Sequence, residues 1–311
     1  MKRKMLNVPK GGYDGMKGFT IVEFLVAGLL SVIVLIAVVS SYFTSRKLND
    51  AANERLAIQQ DLRNAATLIV RDARMAGSFG CFNMSEHTEK DVVSDVAQKN
   101  RLFSLKGSSA NKLIPIAESL NIGYQGFAQV RPALIFQYGI DDVNASAETT
   151  VVSSCGVISK PGKQIPTLED AKKELKIQNS GKEQNGNIAR QRHVVNAYAV
   201  GRIAGEEGLF RFQLDDKGEW GNPQLLVKKV KRMDVRYIYV FGCPEDEDAG
   251  KEEQFKYTDK FSRDAVTPAG VEVLLDSGLD AKIAASSDNS IYAYRINATI
   301  RGGNVCANRT L

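Results

Sequence analysis

The chain has 311 residues, which is enough for one or two domains with a sizeable hydrophobic core. Its formal net charge of +5 arises from 41 basic and 36 acidic residues, but five of the basic residues and one acid lie within the first 18 positions. Beyond Gly18 the remaining 36 basic and 35 acidic residues nearly cancel, so the overall basicity does not favour direct binding of nucleic acid.

A continuous apolar segment follows this basic leader. Phe19 to Phe43 spans 25 residues, of which nineteen are apolar, and Glu23 is the only acidic or basic residue before Arg46. A helix of that length spans a bilayer, and lysines and arginines ahead of a first apolar helix hold that end in the cytoplasm. Because a carboxylate inside such a segment needs a partner or must stay neutral, the sequence predicts a function for Glu23.

The residues at the start of this segment resemble the processing motif of type IV prepilins. Gly18 is followed by Phe19, and then by Glu23 at the head of the apolar helix. The resemblance implies that a prepilin peptidase cuts between Gly18 and Phe19 and methylates the new amine of Phe19. It also implies that Glu23 pairs with the Phe19 ammonium group of a neighbouring subunit in a fibre. An ordinary secretory signal and a permanent signal anchor are the alternatives, but neither accounts for both Gly18 and Glu23.

The apolar segment continues into an amphipathic one without an intervening proline. Apolar residues recur there at steps of three and four, with most charges between them: Leu48, Ala51, Ala52, Ile58, Leu62, Ala65, Ala66, Ile69 and Ala73 against Asp50, Arg55, Asp61, Arg63 and Asp72. The pattern predicts one helix from about Phe19 to Met75, with a transmembrane half at 19–44 and an amphipathic half at 45–76. The apolar face of the second half is expected to pack on a sheet, and Gly77 and Gly80 to end the helix.

The rest of the chain, 77–311, is predicted to be a globular head of mostly antiparallel strands, which gives an α+β fold class. Strands are predicted at 133–138, 149–154, 194–200, 209–214, 225–241, 271–275 and 291–300. Asn222 and Pro223 are expected to separate two of these strands, and 201–208 to form a hairpin loop.

Two polar tracts, near 160–191 and 245–264, are predicted to be surface insertions in the head. The first contains a short helical pattern from Leu168 to Ile177. The second begins with six acids in nine residues, 245–253, which suit calcium chemically but lack the spacing of an EF-hand loop, so a solvated loop is favoured. The basic run 228–232 is likewise expected to be the solvated face of a strand.

Four cysteines, Cys81, Cys155, Cys243 and Cys306, lie beyond the apolar helix. An even number in an exported region favours two disulfides, with three possible connectivities. We favour Cys81 with Cys155 and Cys243 with Cys306, since each pair then closes a contiguous segment. Zinc is the alternative, but the sequence has no C-x-x-C and its two histidines are remote from any cysteine.

Motifs for catalysis are absent from the sequence. It has no G-x-x-x-x-G-K-[ST] phosphate loop, no H-E-x-x-H zinc motif and no G-x-S-x-G nucleophile elbow, and two histidines leave few general bases. The sequence therefore predicts a protein that is not an enzyme, with no catalytic residues, no metal site and no cofactor.

Segments of the head extend the family resemblance beyond the processing motif. Arg71–Gly77, closed by Cys81, is similar to the segment with which minor pilins of the PilW type leave their long helix. Leu209–Arg211 followed by Leu225–Val227 is similar to the strand order of that family's head, and Cys306–Arg309 matches its end in position. The resemblance covers most of the chain and indicates the PilJ branch of these minor pilins, although an 18-residue leader is long for this class.

The resemblance implies a type IV pilin-like fold and a minor pilin that helps initiate pilus assembly within a tip complex, in support of adhesion, motility and DNA uptake. The implied partners are other minor pilins, the major pilin, a prepilin peptidase, the inner-membrane assembly platform and a tip adhesin. The head is expected in the periplasm, with the helix in the bacterial inner membrane, and later at the pilus tip. Because Glu23 is retained, we expect the subunit to lie below another pilin. The alternatives are an adhesive or DNA-binding tip module and a minor pseudopilin of a type II secretion system.

Overall fold

The structure is a computed structural model that describes residues 18–93, 113–177, 187–241, 254–262, 267–276, 294–300 and 303. The chain divides into two compact units, residues 1–57 and residues 58–311. The predicted leader up to Lys17 lies outside the described residues, as do Cys243 and Cys306 and most of the acidic tract.

One long helix, α1, runs from Ile21 to Met75. This matches the uninterrupted helix predicted from about Phe19 to Met75. Every residue of α1 up to Ala57 is exposed, and this part includes a stretch that is long and apolar enough to cross a membrane. Exposure of so many apolar side chains to water is unfavourable, and a stretch of this kind is able to anchor in a membrane.

The buried face of α1 begins later than the sequence indicates. Buried residues start at Ile58, whereas Leu48 and Leu56 are exposed. The prediction of a packed face throughout 45–76 is therefore wrong for 45–57. The spacing of apolar residues shows which side of a helix is apolar, but it does not show where the head that covers that side begins.

The described residues of the head form fifteen strands and a short second helix. The strands are β1 (Ser78–Phe79), β2 (Phe82–Asn83), β3 (Val92–Val93), β4 (Ile116–Ser119), β5 (Ala128–Gln129), β6 (Ala133–Ile140), β7 (Thr150–Ser153), β8 (Ile158–Ser159), β9 (Ala189–Ile203), β10 (Glu206–Leu214), β11 (Trp220–Lys228), β12 (Arg232–Phe241), β13 (Gln254–Thr258), β14 (Gly270–Asp276) and β15 (Tyr294–Thr299). Helix α2 spans Leu168–Glu174, and two 3-10 turns span Met84–Glu86 and Glu89–Asp91.

These strands form two larger sheets and one hairpin, β1–β2. The first sheet has nine strands, in the order β11-β10-β9-β7-β8-β3, with β4, β5 and β6 attached through β6 and β9. The second has four, in the order β13-β12-β14-β15. Among the described strands only β3 and β8 pair in parallel, so the predicted mostly antiparallel head is confirmed.

Strand β9 organises the larger sheet. It is 15 residues long, and one of its edges pairs with β10 while the other pairs in succession with β7, β6 and β5. The predicted hairpin loop at 201–208 is shorter in the structure, since β9 and β10 leave only Ala204 and Gly205 between them. Both residues have positive φ, as a two-residue hairpin turn requires.

Three predictions about the strands need correction. The single strand predicted at 225–241 is two strands in different sheets, β11 and β12, separated near Lys229, whose φ is positive. Pro223 does not separate strands but lies inside β11, where a residue without an N–H is tolerated because β11 pairs only with β10 and its register is bulged. Gln254–Thr258, predicted as part of an insertion, is β13.

A hydrophobic core joins the second part of α1 to both larger sheets. The helix contributes Ile58, Leu62, Ala65, Ile69 and Ala73, and Ala76 follows directly after it. The opposite face of the nine-stranded sheet has its own cluster around Phe210 and Phe212, covered by the segment that contains Ile122. Both faces of this sheet are therefore buried in its centre.

The chain leaves α1 through a tight turn at Gly77. Its φ is +78°, its N–H donates to the Gln137 carbonyl at 2.9 Å, and its carbonyl accepts from Met84 at 2.9 Å. A side chain at this position would meet Pro115, with the two Cβ atoms 2.9 Å apart. The predicted end of the helix at Gly77 is confirmed, and both backbone conformation and space require glycine there.

Candidate functional site

The residues of the predicted processing motif lie at the exposed beginning of α1. Gly18 and Phe19 precede the helix, and Glu23 lies in its first turn. Phe19 is 88% exposed, and no atom lies within 4 Å of the position that a Cβ on Gly18 would take. Among the described residues, nothing covers the two residues of the predicted cleavage site.

Glu23 forms a local hydrogen-bonded box with Thr20. One carboxylate oxygen of Glu23 accepts from the backbone N–H and from the hydroxyl of Thr20, both at 3.0 Å. In return the Glu23 N–H donates to the Thr20 hydroxyl at 3.3 Å. This is a capping box, in which a Thr at the N-cap and a Glu three residues later satisfy N–H groups that a helix start leaves free.

This box gives Glu23 a structural role besides the predicted assembly role. The two roles are compatible, because the box uses one oxygen of the carboxylate and leaves the other, Oε1, available for a cation. Thr20 is not among the predicted site residues, although T-x-x-E at the start of an apolar run is the recognisable signature of such a box.

The predicted disulfide between Cys81 and Cys155 is present in the structure. It connects the turn between β1 and β2, directly after α1, to the end of β7. The sequence separation is 74 residues, and Asn187 donates to the Cys155 sulfur at 3.7 Å. The second predicted pair, Cys243 with Cys306, lies outside the described residues.

A buried carboxylate, Asp72, lies near the end of α1 and was not singled out from the sequence. It is fully buried, and it accepts hydrogen bonds from the Tyr138 hydroxyl at 2.9 Å, the Tyr198 hydroxyl at 2.6 Å and the Asn196 amide at 2.8 Å. These donors stand on β6 and β9. Burial, followed by the charge of the adjacent carboxylate, raises the pKa of both tyrosines, so both remain protonated donors.

Two arginines complete this arrangement. Arg71 donates to Asp72 from two nitrogens, at 3.2 and 3.1 Å, and the Arg211 guanidinium on β10 lies 3.6 Å from the other carboxylate oxygen. The carboxylate is thus both charge-paired and hydrogen-bonded, as a buried charge must be. We call this set the Asp72 cluster: Arg71, Asp72, Tyr138, Asn196, Tyr198 and Arg211.

The sequence does carry a signal for Asp72. Ile58, Leu62, Ala65 and Ile69 are spaced by four, three and four residues, and the next step of three reaches Asp72. An acid therefore stands at a position of the apolar stripe rather than between its members. The earlier grouping of Asp72 with the charges of the polar face is wrong.

A second buried polar pair, His193 on β9 and Gln137 on β6, lies beside the segment that follows α1. His193 Nε2 lies 2.9 Å from the Gln137 Oε1 atom, and the Gln137 amide donates to the Ile114 carbonyl. The His193 ring also packs edge-on against Phe79, with ring centroids 5.6 Å apart. Burial lowers the pKa of His193 to about 3, so the ring is neutral at ordinary pH.

A groove of about 380 Å³ lies between the two larger sheets. Its charged walls pair with each other, as Arg131 with Asp234 at 3.9 Å and Arg236 with Asp259 at 3.1 Å. Glu118 accepts from the Tyr237 hydroxyl at 2.6 Å. Among the described residues, the charged side chains of the groove therefore pair mainly with each other.

The predicted basic run 228–232 is partly neutralised in the structure. Lys228 lies 3.8 Å from Glu206, and Arg232 lies 2.9 Å from Asp234. The run connects a strand of the nine-stranded sheet to a strand of the four-stranded sheet instead of lying within one strand. The prediction of a solvated strand face is therefore wrong, and the run is a charged connection between the two sheets.

Comparison with known proteins gives no relative. The chain matches no protein-family model, no curated protein and no solved structure. Inference about its function thus rests on the N-terminal motif and on the architecture that follows it.

Proposed function

We propose that this chain is a minor pilin precursor that joins the tip of a type IV pilus. The observation that carries the proposal is the combination at the N-terminus. An exposed Gly18–Phe19 bond precedes a long apolar helix with a carboxylate, Glu23, in its first turn, and the same helix ends in a disulfide-linked β-sheet head.

Each part of this combination has a role in the proposed mechanism. The basic leader keeps the N-terminus in the cytoplasm, where the peptidase cuts, and the apolar helix waits in the inner membrane with the head in the periplasm. On assembly, helices of other pilins replace the lipid around it. Pairing of Glu23 with the ammonium group of a neighbour's first residue then neutralises two charges inside an apolar bundle.

The processing step is tested with the full chain co-expressed with a prepilin peptidase. Mass spectrometry should find a mature N-terminus at Phe19 carrying one methyl group. Gly18→Val should retain the leader completely, because a peptidase that accepts glycine has no space for the branched side chain. Gly28→Val is the matched control, since a Cβ at Gly28 also meets no atom within 4 Å. Cleavage at another bond, or equal cleavage of both variants, contradicts the proposal.

The assembly step is tested in the bacterium that carries the gene. Glu23→Ala should abolish co-purification with the other minor pilins and strongly reduce surface fibres. Asp50→Ala, a second exposed carboxylate of α1 outside the apolar run, should leave both unchanged. If Glu23→Ala behaves like Asp50→Ala, the predicted position below another pilin is wrong.

Two further measurements distinguish the proposed role from related roles. Loss of protein secretion without loss of fibres in a deletion strain identifies a pseudopilin instead of a pilin. Deletion in cells that also lack the retraction motor distinguishes two roles within the pilus: fibres that return indicate a role against retraction, and fibres that stay absent indicate a role in initiation.

A further inference from the structure

The apolar contacts between the second part of α1 and the sheets do not by themselves fix the position of the helix along its axis. Its buried apolar residues are Ile58, Leu62, Ala65, Ile69 and Ala73, which recur at steps of three and four. Helices pack by fitting ridges of side chains into grooves, and an apolar row with this repeat again presents apolar side chains to the same surface after a shift of one turn. Apolar contact alone therefore allows neighbouring registers.

Asp72 removes this ambiguity. Its carboxylate is the one group on that face that needs a specific surrounding, and Tyr138, Asn196 and Tyr198 provide it from β6 and β9. A shift of one turn, about 5.4 Å, would place an apolar residue such as Ile69 or Ala76 among these donors. It would also leave a buried carboxylate and several buried donors unpaired, which is among the costliest changes in a protein interior.

We propose that Asp72 is a positioning residue that sets the register of the 58–75 part of α1 on the nine-stranded sheet. The Asp72 cluster selects one register among those that apolar contacts alone would allow, as a single buried polar residue does in coiled coils. This also gives a physical reason for the acid within the segment Arg71–Gly77. The inference concerns the folded head alone and does not depend on the proposed function.

Two other constraints act close to Asp72, and they supply the competing explanation. The Gly77 N–H is held by the Gln137 carbonyl, and the Cys81–Cys155 disulfide follows four residues later. Both fix the chain after the helix has ended. If they suffice, replacement of Asp72 changes the stability of the head but not the position of the helix.

The experiment measures that position directly. Spin labels are introduced as unnatural amino acids at Asn64, an exposed residue of the helix, and at Asp216, an exposed residue of the β10–β11 turn. Pulsed electron resonance on the full chain in detergent micelles gives their distance distribution. A second sample carries the second label at Leu120 instead of Asp216. It is needed because a shift along the helix axis hardly changes the distance between two labels when the line that joins them is perpendicular to that axis.

Wild type should give one narrow distance. Asp72→Leu should shift or split the distribution by about 5 Å, one helical turn, in at least one of the two samples. Ile69→Ala is the matched control, because it removes buried apolar volume from the same face and leaves the Asp72 cluster intact. It should lower the unfolding midpoint while the single distance remains.

A second variant covers the case in which Asp72→Leu does not fold. Tyr138→Phe combined with Tyr198→Phe removes two of the donors and keeps the carboxylate, and it should populate the shifted distance beside the native one. Asp72→Asn keeps an acceptor oxygen for only one of the two tyrosines, since Tyr138 and Tyr198 donate to different oxygens of Asp72. It should therefore retain more of the native distance than Asp72→Leu does. A single native distance in every folded variant overturns the proposal and assigns the register to the Gly77 turn and the disulfide.

Discussion

The two units of the chain are held by interactions of different range. In residues 18–57 the side-chain hydrogen bonds of Thr20, Ser31 and Thr44 reach only three or four residues along the helix. In residues 58–311 the Asp72 carboxylate binds Asn196 and Tyr198 across 124 and 126 residues of sequence. The first unit is a helix that local bonds can form alone, whereas the second exists only when distant segments meet.

This difference predicts which property of the chain a mutation will change. A change in the second unit affects a cooperative core, so its effect appears in the unfolding of the whole head. A change in the first unit alters local helix formation and whatever surrounds the helix in the cell. Urea unfolding of the full chain in detergent micelles separates the two cases, because the fluorescence of Trp220, the chain's single tryptophan, reports on the head alone.

The largest expected effect follows loss of the Cys81–Cys155 disulfide. The bond closes a segment of 74 residues, for which loss of the cross-link costs about 4 kcal/mol of unfolding free energy in the chain-entropy description. Replacement of both cysteines by serine should therefore shift the Trp220 transition to much lower urea concentration. The helical circular dichroism contributed by residues 21–57 should persist beyond that transition. A shift below about 1 kcal/mol would show that the unfolded head is already compact.

A pair of leucines on the same helix compares the two units directly. Leu62 is 3% exposed and belongs to the main core, whereas Leu48 is 66% exposed. Leu62→Ala should lower the free energy of unfolding of the head by about 3 kcal/mol, since it removes a buried side chain and leaves a cavity. Leu48→Ala should leave the Trp220 transition unchanged within error. Equal effects would mean that the cooperative head extends to residue 48.

In the described part of the first unit, the sequence predicts the helix and its continuity because these depend on local information. Composition gives the apolar run, and the absence of proline gives the continuity of α1. The capping box at Thr20 and Glu23 is a four-residue pattern as well, so it could have been found from the sequence. The sequence of this unit does not show what surrounds the helix. The prediction therefore places residues 45–57, which are exposed, on the packed face.

The second unit is predictable in its elements but not in their arrangement. The strands that contain Ala133, Val194 and Val271 were located from their β-branched and aromatic residues, within a few positions of their ends. The assignment of β11 and β12 to different sheets depends on pairing partners that lie elsewhere in the chain. Likewise Asp72 can be recognised as anomalous on its helix, but its partners on β6 and β9 are known only once the sheet is formed.

His193 offers a pH-dependent test of the second unit. Its pKa in the folded chain is lowered to about 3 by burial, whereas an unfolded chain has an ordinary value of about 6.5. Between these values the unfolded state binds a proton that the folded state does not, so stability falls as the pH falls through this range. The contribution of His193 should decrease by about 2 kcal/mol between pH 7 and pH 5.

The measurement compares the pH dependence of wild type with that of His193→Gln. Glutamine can still donate a hydrogen bond to Gln137, but it does not titrate. The variant should therefore lose less stability than wild type between pH 7 and pH 5. If the two curves run parallel, the imidazole is accessible to protons in the folded head, contrary to its full burial.

The smallest expected effect lies in the first unit and concerns Thr20. As the N-cap of α1 its hydroxyl accepts from a backbone N–H, so Thr20→Ala should weaken the first turn by about 1 kcal/mol. Hydrogen exchange of the amides at 21–24 should become faster, and the Trp220 transition should stay in place. Thr44→Ala is the matched control, because the same substitution inside the helix, where the hydroxyl bonds the Ser40 carbonyl, should leave exchange equal or slower.

The double variant of Thr20→Ala and Glu23→Ala decides whether the capping box is one unit. If the two residues act only through each other, the double variant should exchange no faster than the single ones. An additional acceleration would mean that Glu23 stabilises the first turn by itself, through its charge near the positive end of the helix. In that case the Glu23 carboxylate stabilises the first turn of α1 even when no ammonium group of a neighbouring subunit is present. Loss of assembly in Glu23→Ala would then have two possible causes, loss of the ion pair and loss of helix next to the cleavage site, which would have to be measured separately.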